Sequence, residues 1–125
     1  MANRRCVTGD IYFSDEFLEL SCVARVLYIG LMLDADDEGV VENYKKTMRI
    51  LSCRKQALTE LVESGYIMKL NGVYVVKDWH RHNIIPPSKK SPSMYADLLK
   101  CLIVNRKKQY EVLDGYDEII ENCEE

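Results

Sequence analysis

The sequence predicts one small α+β domain in which helices come first and a short β-hairpin follows. Three observations support this prediction. Serines stand where helix N-caps are expected, apolar residues recur with a helical period, and an Asn-Gly pair separates two short apolar runs. The chain has 125 residues, 47% of them hydrophobic and 30% charged, which fits a single folded domain.

Two capped helices are expected near the start. Ser14 is placed to cap a short helix, and Ser21 is placed to cap a longer one over residues 22–34. The longer helix is apolar almost all round, which is typical of a helix in the centre of a core. Cys22 in this run is interpreted as a core residue. The acidic stretch 35–38 that follows, closed by a glycine, predicts a solvated turn.

The next segment predicts a helix-turn-helix. Asn43 is expected to cap an amphipathic helix with a basic outer face. Ser52 is expected to break the chain and to cap a second helix that ends at Ser64, with Gly65 at the C′ position. Two short helices joined across one or two residues have the shape of this motif.

A β-hairpin is predicted directly after these helices. Residues 66–70 and 73–79 flank Asn71-Gly72, and this dipeptide favours a type I′ turn. Helix, helix and hairpin in this order predict a winged helix-turn-helix whose wing tip is residues 69–72. Trp79, at the end of the second strand, is interpreted as a packed side chain that seats the following loop rather than as a platform for a base.

The C-terminal part predicts one more helix. Ser91 followed by Pro92 favours a helix start, and Tyr95, Leu98, Leu99 and Leu102 would form its apolar stripe. Residues 109–113 are expected to be extended and 114–115 to form a turn. We divide the chain into a winged-helix domain, residues 1–110, and an acidic tail, residues 111–125. The expected shared core contains Val26, Leu27, Leu31, Leu58, Leu61, Val75 and Trp79.

The charge of the chain is segregated. The net charge is −3, but residues 1–110 hold all 17 Lys and Arg residues against 13 acids, while residues 111–125 hold only acids, seven in number. Residues 81–108 carry seven bases and one acid. This pattern predicts a surface that binds a polyanion, with a tail that competes for it or stays apart from the core; two solvated patches are the alternative.

Other classes of function find little support in the sequence. His80 and His82 form a possible metal pair, but no third ligand is spaced nearby, so we expect no metal and no cofactor. No catalytic constellation or phosphate-binding loop is legible, so we do not expect an enzyme. The five cysteines are scattered without a CxxC pair, and no signal peptide or membrane span is evident, which predicts a cytoplasmic protein.

Several short motifs, in this order and spacing, resemble a known family. They are Ser14-Asp15-Glu16-Phe17-Leu18, Ala24-Arg25 through Leu27-Tyr28, residues 35–41, Leu61 through Gly65 to Ile67, and Trp79-His80-Arg81-His82-Asn83 with Tyr95 beyond. The sequence resembles the N-terminal domain of phage replisome organisers, relatives of the DnaD-type primosome proteins of Gram-positive bacteria. The resemblance covers roughly residues 4–100. It implies a winged-helix fold and a role in initiating phage or prophage DNA replication. Fuller members continue into a second, helical domain that this sequence lacks, so we expect DNA or protein binding rather than helicase loading.

The expected partner is therefore DNA, bound weakly and in a salt-sensitive way. The alternative is a winged-helix adaptor or inhibitor that binds a host or phage protein, such as a replication protein, without touching DNA. The second helix of the turn mixes Arg54 and Lys55 with Glu60 and Glu63, so we expect the flanking bases to supply most of the affinity. The candidate DNA-binding residues are Lys45, Lys46, Arg49, Arg54, Lys55, Gln56, Thr59, Lys69, Asn71, Arg81, His82, Lys89 and Lys90.

Overall fold

A computed structural model describes residues 5–120 and confirms a mixed α+β fold with two small antiparallel sheets. Its helices are α1 (Gly9–Tyr12), α2 (Asp15–Leu18), α3 (Cys22–Asp34), α4 (Tyr44–Ile50), α5 (Lys55–Glu63), α6 (Trp79–His82) and α7 (Ala96–Leu99). Its strands are β1 (Val40–Val41), β2 (Ile67–Leu70), β3 (Val73–Val76), β4 (Leu102–Val104) and β5 (Tyr110–Val112). The first sheet has the order β1-β3-β2 and the second pairs β4 with β5. None of the helices within residues 5–120 has both the length and the apolar character to cross a bilayer.

The predicted serine caps are present. The Ser14 hydroxyl accepts the N–H of Phe17 at 3.2 Å and the Ser21 hydroxyl accepts the N–H of Ala24 at 3.1 Å. These contacts satisfy N–H groups that have no partner inside the helix. Asn43 is the N-cap residue of α4 as expected, but its side chain makes no capping hydrogen bond. The cap expected from Ser52 is wrong, because Arg54 is the N-cap residue of α5. Ser52 instead takes a left-handed conformation, with φ of 57°, in the turn between the two helices.

The end of α5 and the hairpin follow the sequence prediction closely. Gly65 has φ of 82° and donates its N–H to the Val62 carbonyl, while Tyr66 donates to the Leu61 carbonyl, which is the Schellman arrangement. In the β2–β3 turn Asn71 and Gly72 both have positive φ, 47° and 83°, as a type I′ turn requires. The sequence therefore determines residues 61–76 through contacts between near neighbours.

The second strand is shorter than expected. β3 ends at Val76, and Trp79 begins helix α6 rather than ending a strand. The Asp78 carbonyl accepts the N–H groups of Arg81 and His82, so the segment expected to be irregular starts with one helical turn. The N–H of Lys77 still donates to the Tyr66 carbonyl at 3.1 Å, and the helical turn of α6 begins two residues later.

Most of the expected core is confirmed. Leu27, Leu31, Leu58, Leu61, Val75 and Trp79 all belong to one buried cluster. Val26 does not, since half of its side chain is exposed, and Cys22 is exposed as well. Helix α3 packs against α4 and α5 on one side only, so its apolar outer face is left uncovered. A helix that is apolar all round does not reveal which of its faces is buried.

The acidic loop between α3 and β1 is the centre of the fold rather than a solvated turn. Asp37 is 1% exposed and lies 3.1 Å from Arg5 in an ion pair whose side chains are both buried. Its carbonyl accepts the indole N–H of Trp79 at 3.0 Å. Burial disfavours the charged form of Asp37, but the N–H of Ser91 and the charge of Arg5 outweigh it and lower the pKa of the carboxyl.

The predicted C-terminal helix is present only as α7, so its expected start at Ser91 and its extension to Leu102 are wrong. The acidic loop holds the segment before α7, because the N–H of Ser91 donates to the Asp37 carboxylate at 3.0 Å. The hydroxyl of Ser93 donates to Asp36 at 2.6 Å. These bonds hold the segment in an irregular path, so only the four residues of α7 are helical and Leu102 lies in β4.

The start of the predicted tail is part of the second sheet. β5 confirms the extended segment expected at 109–113, and it crosses the expected boundary between residues 110 and 111. The turn at residues 114–115 is confirmed. The expectation that residues 117–125 stay apart from the core is wrong for Ile119, which packs against it beside a bridge between Ile120 and Leu70. Residues 121–125 lie outside the described part of the chain.

A buried histidine holds the N-terminal segment. Nδ1 of His82 accepts the N–H of Thr8 at 2.9 Å, which assigns the ring proton to Nε2, and Nε2 lies 2.8 Å from the Tyr28 hydroxyl. Burial lowers the pKa of His82 to about 4, since it disfavours the charged ring. The neutral ring is therefore part of the folded structure.

Substitution of Gly39 should be much more costly than substitution of Gly65. The two glycines have similar φ, 88° and 82°, so an added side chain strains both backbones by about 1–2 kcal/mol. A Cβ at Gly39 would also lie 2.7 Å from the Trp79 ring, whereas nothing lies within 4 Å at Gly65. We expect urea denaturation to show that Gly39→Ala loses at least about 2 kcal/mol more stability than Gly65→Ala. Equal losses would show that Trp79 moves aside freely.

The stability of the fold should also depend on His82. The pKa is about 6.5 when the chain is unfolded and about 4 when it is folded, so acidification protonates the unfolded chain first. We expect about 3 kcal/mol of stability to be lost between pH 6.5 and pH 4 through this group. In His82→Gln this part of the pH dependence should disappear from urea titrations. Identical pH slopes for the two proteins would contradict the assignment.

Candidate nucleic-acid interface

A groove lined with bases lies where α4, the start of α5 and β2 meet. We call it the basic groove; its volume is about 430 Å³. Four of its lining residues are Lys or Arg, and none is Asp or Glu. The lining residues are Tyr44, Lys45, Met48, Arg49, Cys53, Lys55, Leu58, Lys69 and Tyr74.

The aromatic residues of the groove set the position of α4. The rings of Tyr44 and Tyr74 meet edge to face with their centroids 4.6 Å apart, and Tyr74 lies in β3 opposite Lys69 of β2. Tyr44 and Met48 are four residues apart and share the inner face of the helix, so Lys45 and Arg49 share the adjoining face. Packing of the apolar face therefore places two bases at the edge of the groove.

Lys46 is not part of this groove. Its ammonium lies 3.9 Å from Asp34 of α3, and its side chain lines a shallow depression with Leu33 and Ile50. Lys45, Lys46 and Arg49 are all exposed on α4, as expected, but only Lys45 and Arg49 line the groove. Helix geometry sets Lys46 about 100° from Lys45 and about 60° from Arg49, at the edge next to α3.

The second helix of the turn contributes one base to the groove. Arg54, Lys55 and Gln56 are exposed at the start of α5, and Thr59 is half-buried, but only Lys55 lines the groove. The carboxylate of Glu60, one of the acids expected to offset these bases, is turned towards Ser21. That carboxylate accepts the N–H and the hydroxyl of Ser21 at 2.7 and 2.8 Å.

The tip of the hairpin stands beside the C-terminal segment. Asn71 is exposed, and its N–H donates to the Ile119 carbonyl at 3.3 Å. Lys69 is half-buried and lines the groove, whereas Asn71 does not. The hairpin thus contributes Lys69 to the basic groove and presents Asn71 at its tip.

The bases after the hairpin lie outside the basic groove. Arg81 is exposed 3.7 Å from Asp78, and Lys89 is exposed in a 3-10 turn. Lys90 is half-buried and lies 3.1 Å from Glu38. His82 is buried, with both ring nitrogens in hydrogen-bond contact, so its assignment as a DNA-binding residue is wrong.

The tryptophan and the histidine pair have structural roles. Trp79 is 1% exposed and donates to the acidic loop, which confirms that it packs rather than offering a surface for a base. The His80 ring lies against Tyr110, with centroids 5.0 Å apart. Among residues 5–120 no three His, Cys, Asp or Glu side chains come together as metal ligands would.

Two bases that were not assigned to the site join Lys90 in a second depression. Arg106 and Lys108 belong to the β4–β5 turn, and with Lys90 they line a cleft of about 360 Å³. The sequence shows the basic run at residues 106–108, but it predicts a helix through Leu102, where the structure has β4. Had a hairpin been predicted there, these bases would have been placed at its tip.

Comparison with protein-family models, with curated proteins and with solved structures gave no match. The candidate function therefore depends on the geometry of the basic groove and on the sequence resemblance.

Proposed function

We propose that this domain is a winged-helix module that binds DNA through the basic groove. One observation supports this above all: Lys45, Arg49, Lys55 and Lys69 line one groove, and none of the described residues that line it is Asp or Glu. The groove lies between the two helices of the turn and the hairpin, which is the region that a helix-turn-helix protein applies to DNA.

The order and pairing of the elements support the winged-helix assignment. Helix α3 is followed by β1, by the helix pair α4 and α5, and by the hairpin of β2 and β3. β1 pairs with β3 at the far side of the hairpin, which closes a three-stranded sheet beside the helices. The type I′ turn at Asn71 and Gly72 would then be the tip of the wing.

Electrostatics predicts weak binding with little sequence preference. Each phosphate that a base neutralises releases counterions, with a slope in log affinity against log salt of about −0.9. Lys45, Arg49 and Lys55 together would therefore give a slope of about −2.7. Gln56 is exposed at the start of α5 and is available to read a base edge, but only when the groove bases hold the helix against the duplex.

The resemblance to phage replisome organisers supports a biological role. Under this proposal the module acts in the initiation of phage or prophage DNA replication. The motifs of that resemblance include the acidic loop and the segment from Trp79 to Asn83, which the structure joins through the hydrogen bond from Trp79 to Asp37.

Two neighbouring lysines provide a matched test of the groove. Lys45 and Lys46 are both exposed on α4, but only Lys45 lines the groove. In electrophoretic mobility shifts at low salt, Lys45→Glu should weaken duplex binding by about tenfold, since it replaces a phosphate contact by repulsion. Lys46→Glu should change the affinity by less than about threefold.

Equal effects of the two substitutions would mean that net charge rather than the groove determines binding. No binding by the unmodified protein at low salt would exclude the DNA proposal, and the second candidate would then apply.

The second candidate is an adaptor or inhibitor that binds a host or phage protein. The uncovered apolar surface of α3 favours it. Val23, Val26 and Leu33 are 49%, 51% and 58% exposed, and Ile50 of α4 beside them is 72% exposed. Such a surface is typical of protein contacts. Binding through it would be nearly insensitive to salt and unaffected by Lys45→Glu, which distinguishes it from DNA binding.

A further inference from the structure

The cleft between the β4–β5 turn and the segment after α6 has the composition of a small anion site. It holds Lys90, Arg106 and Lys108, together with His80 and Asn83 on its walls. Its volume of about 360 Å³ lies in the range of ligand pockets in proteins. It shares no lining residue with the basic groove.

The positive charge of this cleft is largely uncompensated. Lys90 is paired with Glu38, and the Asp37 carboxylate on the cleft wall is already neutralised by Arg5. Within residues 5–120, neither Arg106 nor Lys108 has an acidic side chain within 4 Å. Burial lowers the pKa of His80, and the nearby charges of Lys90 and Lys108 lower it further, against an opposing effect of Glu38. An anion would therefore meet two free cations and a neutral ring.

A buried polar group on the wall lacks a partner. Asn83 is 5% exposed, and its Oδ1 accepts the N–H of Cys6 at 2.7 Å. Its Nδ2 is buried without a hydrogen-bond partner in the described residues. Asn83 therefore ties the wall of the cleft to the N-terminal segment through its Oδ1, while its Nδ2 is not accessible from the cleft.

The turn that carries the cations is rigid. The side chain of Asn105 accepts the N–H groups of Lys107 and Gln109, and its carbonyl accepts the N–H of Lys108. Lys108 has φ of 61°, a left-handed conformation in which glycine is the usual residue. This turn places the Lys108 side chain at the cleft together with that of Arg106.

The remaining wall is apolar. Ile84, Ile85 and Val104 line the cleft, and Ile84 is 82% exposed. An inorganic anion would leave this surface in water. A phosphate ester that carries a planar or apolar group would place its phosphate at the bases and cover the apolar wall.

We propose that this cleft binds a small phosphate ester of the nucleotide class, independently of DNA binding in the basic groove. The phosphate lies between Arg106 and Lys108 with Lys90 beside it, and the ester group lies on the wall of Ile84 and Val104.

The test uses the full chain and titration with AMP at low salt, followed by calorimetry and by the fluorescence of Trp79. This is the only tryptophan in the sequence and it lines the cleft. We expect saturable binding of AMP, and weaker binding of inorganic phosphate. No binding up to about 10 mM AMP would overturn the proposal. Phosphate binding as tight as that of AMP would overturn the assignment of an ester.

Neighbouring bases on one turn provide the controls. Arg106→Gln and Lys108→Gly should each weaken AMP binding by about tenfold, since each removes a charge-assisted contact. Lys107 does not line the cleft, so Lys107→Gln should change the affinity by less than about twofold. Lys108→Gly should melt no lower than the unmodified protein, because glycine suits the left-handed position, so lost binding would not reflect unfolding. If Lys107→Gln weakened AMP binding as much as the other two substitutions, the net positive charge of the turn rather than contacts in the cleft would determine binding, and the proposal would be overturned.

Two further experiments distinguish AMP binding in this cleft from DNA binding in the basic groove. Lys45→Glu should leave AMP binding unchanged; if it abolished binding, AMP would lie in the basic groove instead. In Lys45→Glu, a single-stranded oligonucleotide without a terminal phosphate should not displace AMP. Displacement would assign the cleft to a nucleic-acid backbone and overturn the assignment of a free ester.

Discussion

The structure depends on the buried ion pair between Arg5 and Asp37. The two side chains are 2% and 0% exposed, and removal of one partner from such a pair typically costs about 3–5 kcal/mol, because the other charge remains buried. Arg5 also donates to the Ala35 carbonyl at 2.8 Å, and its guanidinium lies 5.2 Å from the centroid of the Trp79 ring. The pair thus connects the N-terminal segment to α6 and, through Ser91, to the chain that follows.

The two basic surfaces depend on different parts of this framework. Glu38, next to the ion pair, holds Lys90 through its carboxylate and accepts the Tyr110 hydroxyl at its carbonyl at 2.7 Å, so the acidic loop fixes both sides of the cleft. The basic groove is built instead by packing of α4 and α5 against the hairpin, with Tyr44 against Tyr74. Substitutions in one surface therefore leave the supports of the other intact.

The parts of the fold that the sequence predicts are those held by near neighbours. The caps at Ser14 and Ser21 and the glycine at the end of α5 each act across three to five residues, so the local sequence contains both partners. The errors concern partners far apart in the chain. Thr8 and His82 are 74 residues apart and Asp37 and Ser91 are 54 apart. Composition identified Asp37 as a charged residue, but only its distant partners make it a buried one.

The same distinction explains why the candidate site was predicted only in part. The charge pattern of the sequence identified Lys45, Arg49 and Lys69 as candidate residues of the groove. It did not separate them from the neighbouring Lys46, which pairs with Asp34, because that contact depends on how α3 packs against α4. The positions of the acidic side chains explain how a chain of net charge −3 presents basic surfaces. Glu60 binds Ser21, and the side chain of Asp78 accepts that of Gln109 at 2.8 Å. These acids are held by hydrogen bonds to other parts of the chain, and neither of them lines the basic groove. The net charge of a chain therefore says little about one of its surfaces when acids and bases lie on different parts of that chain.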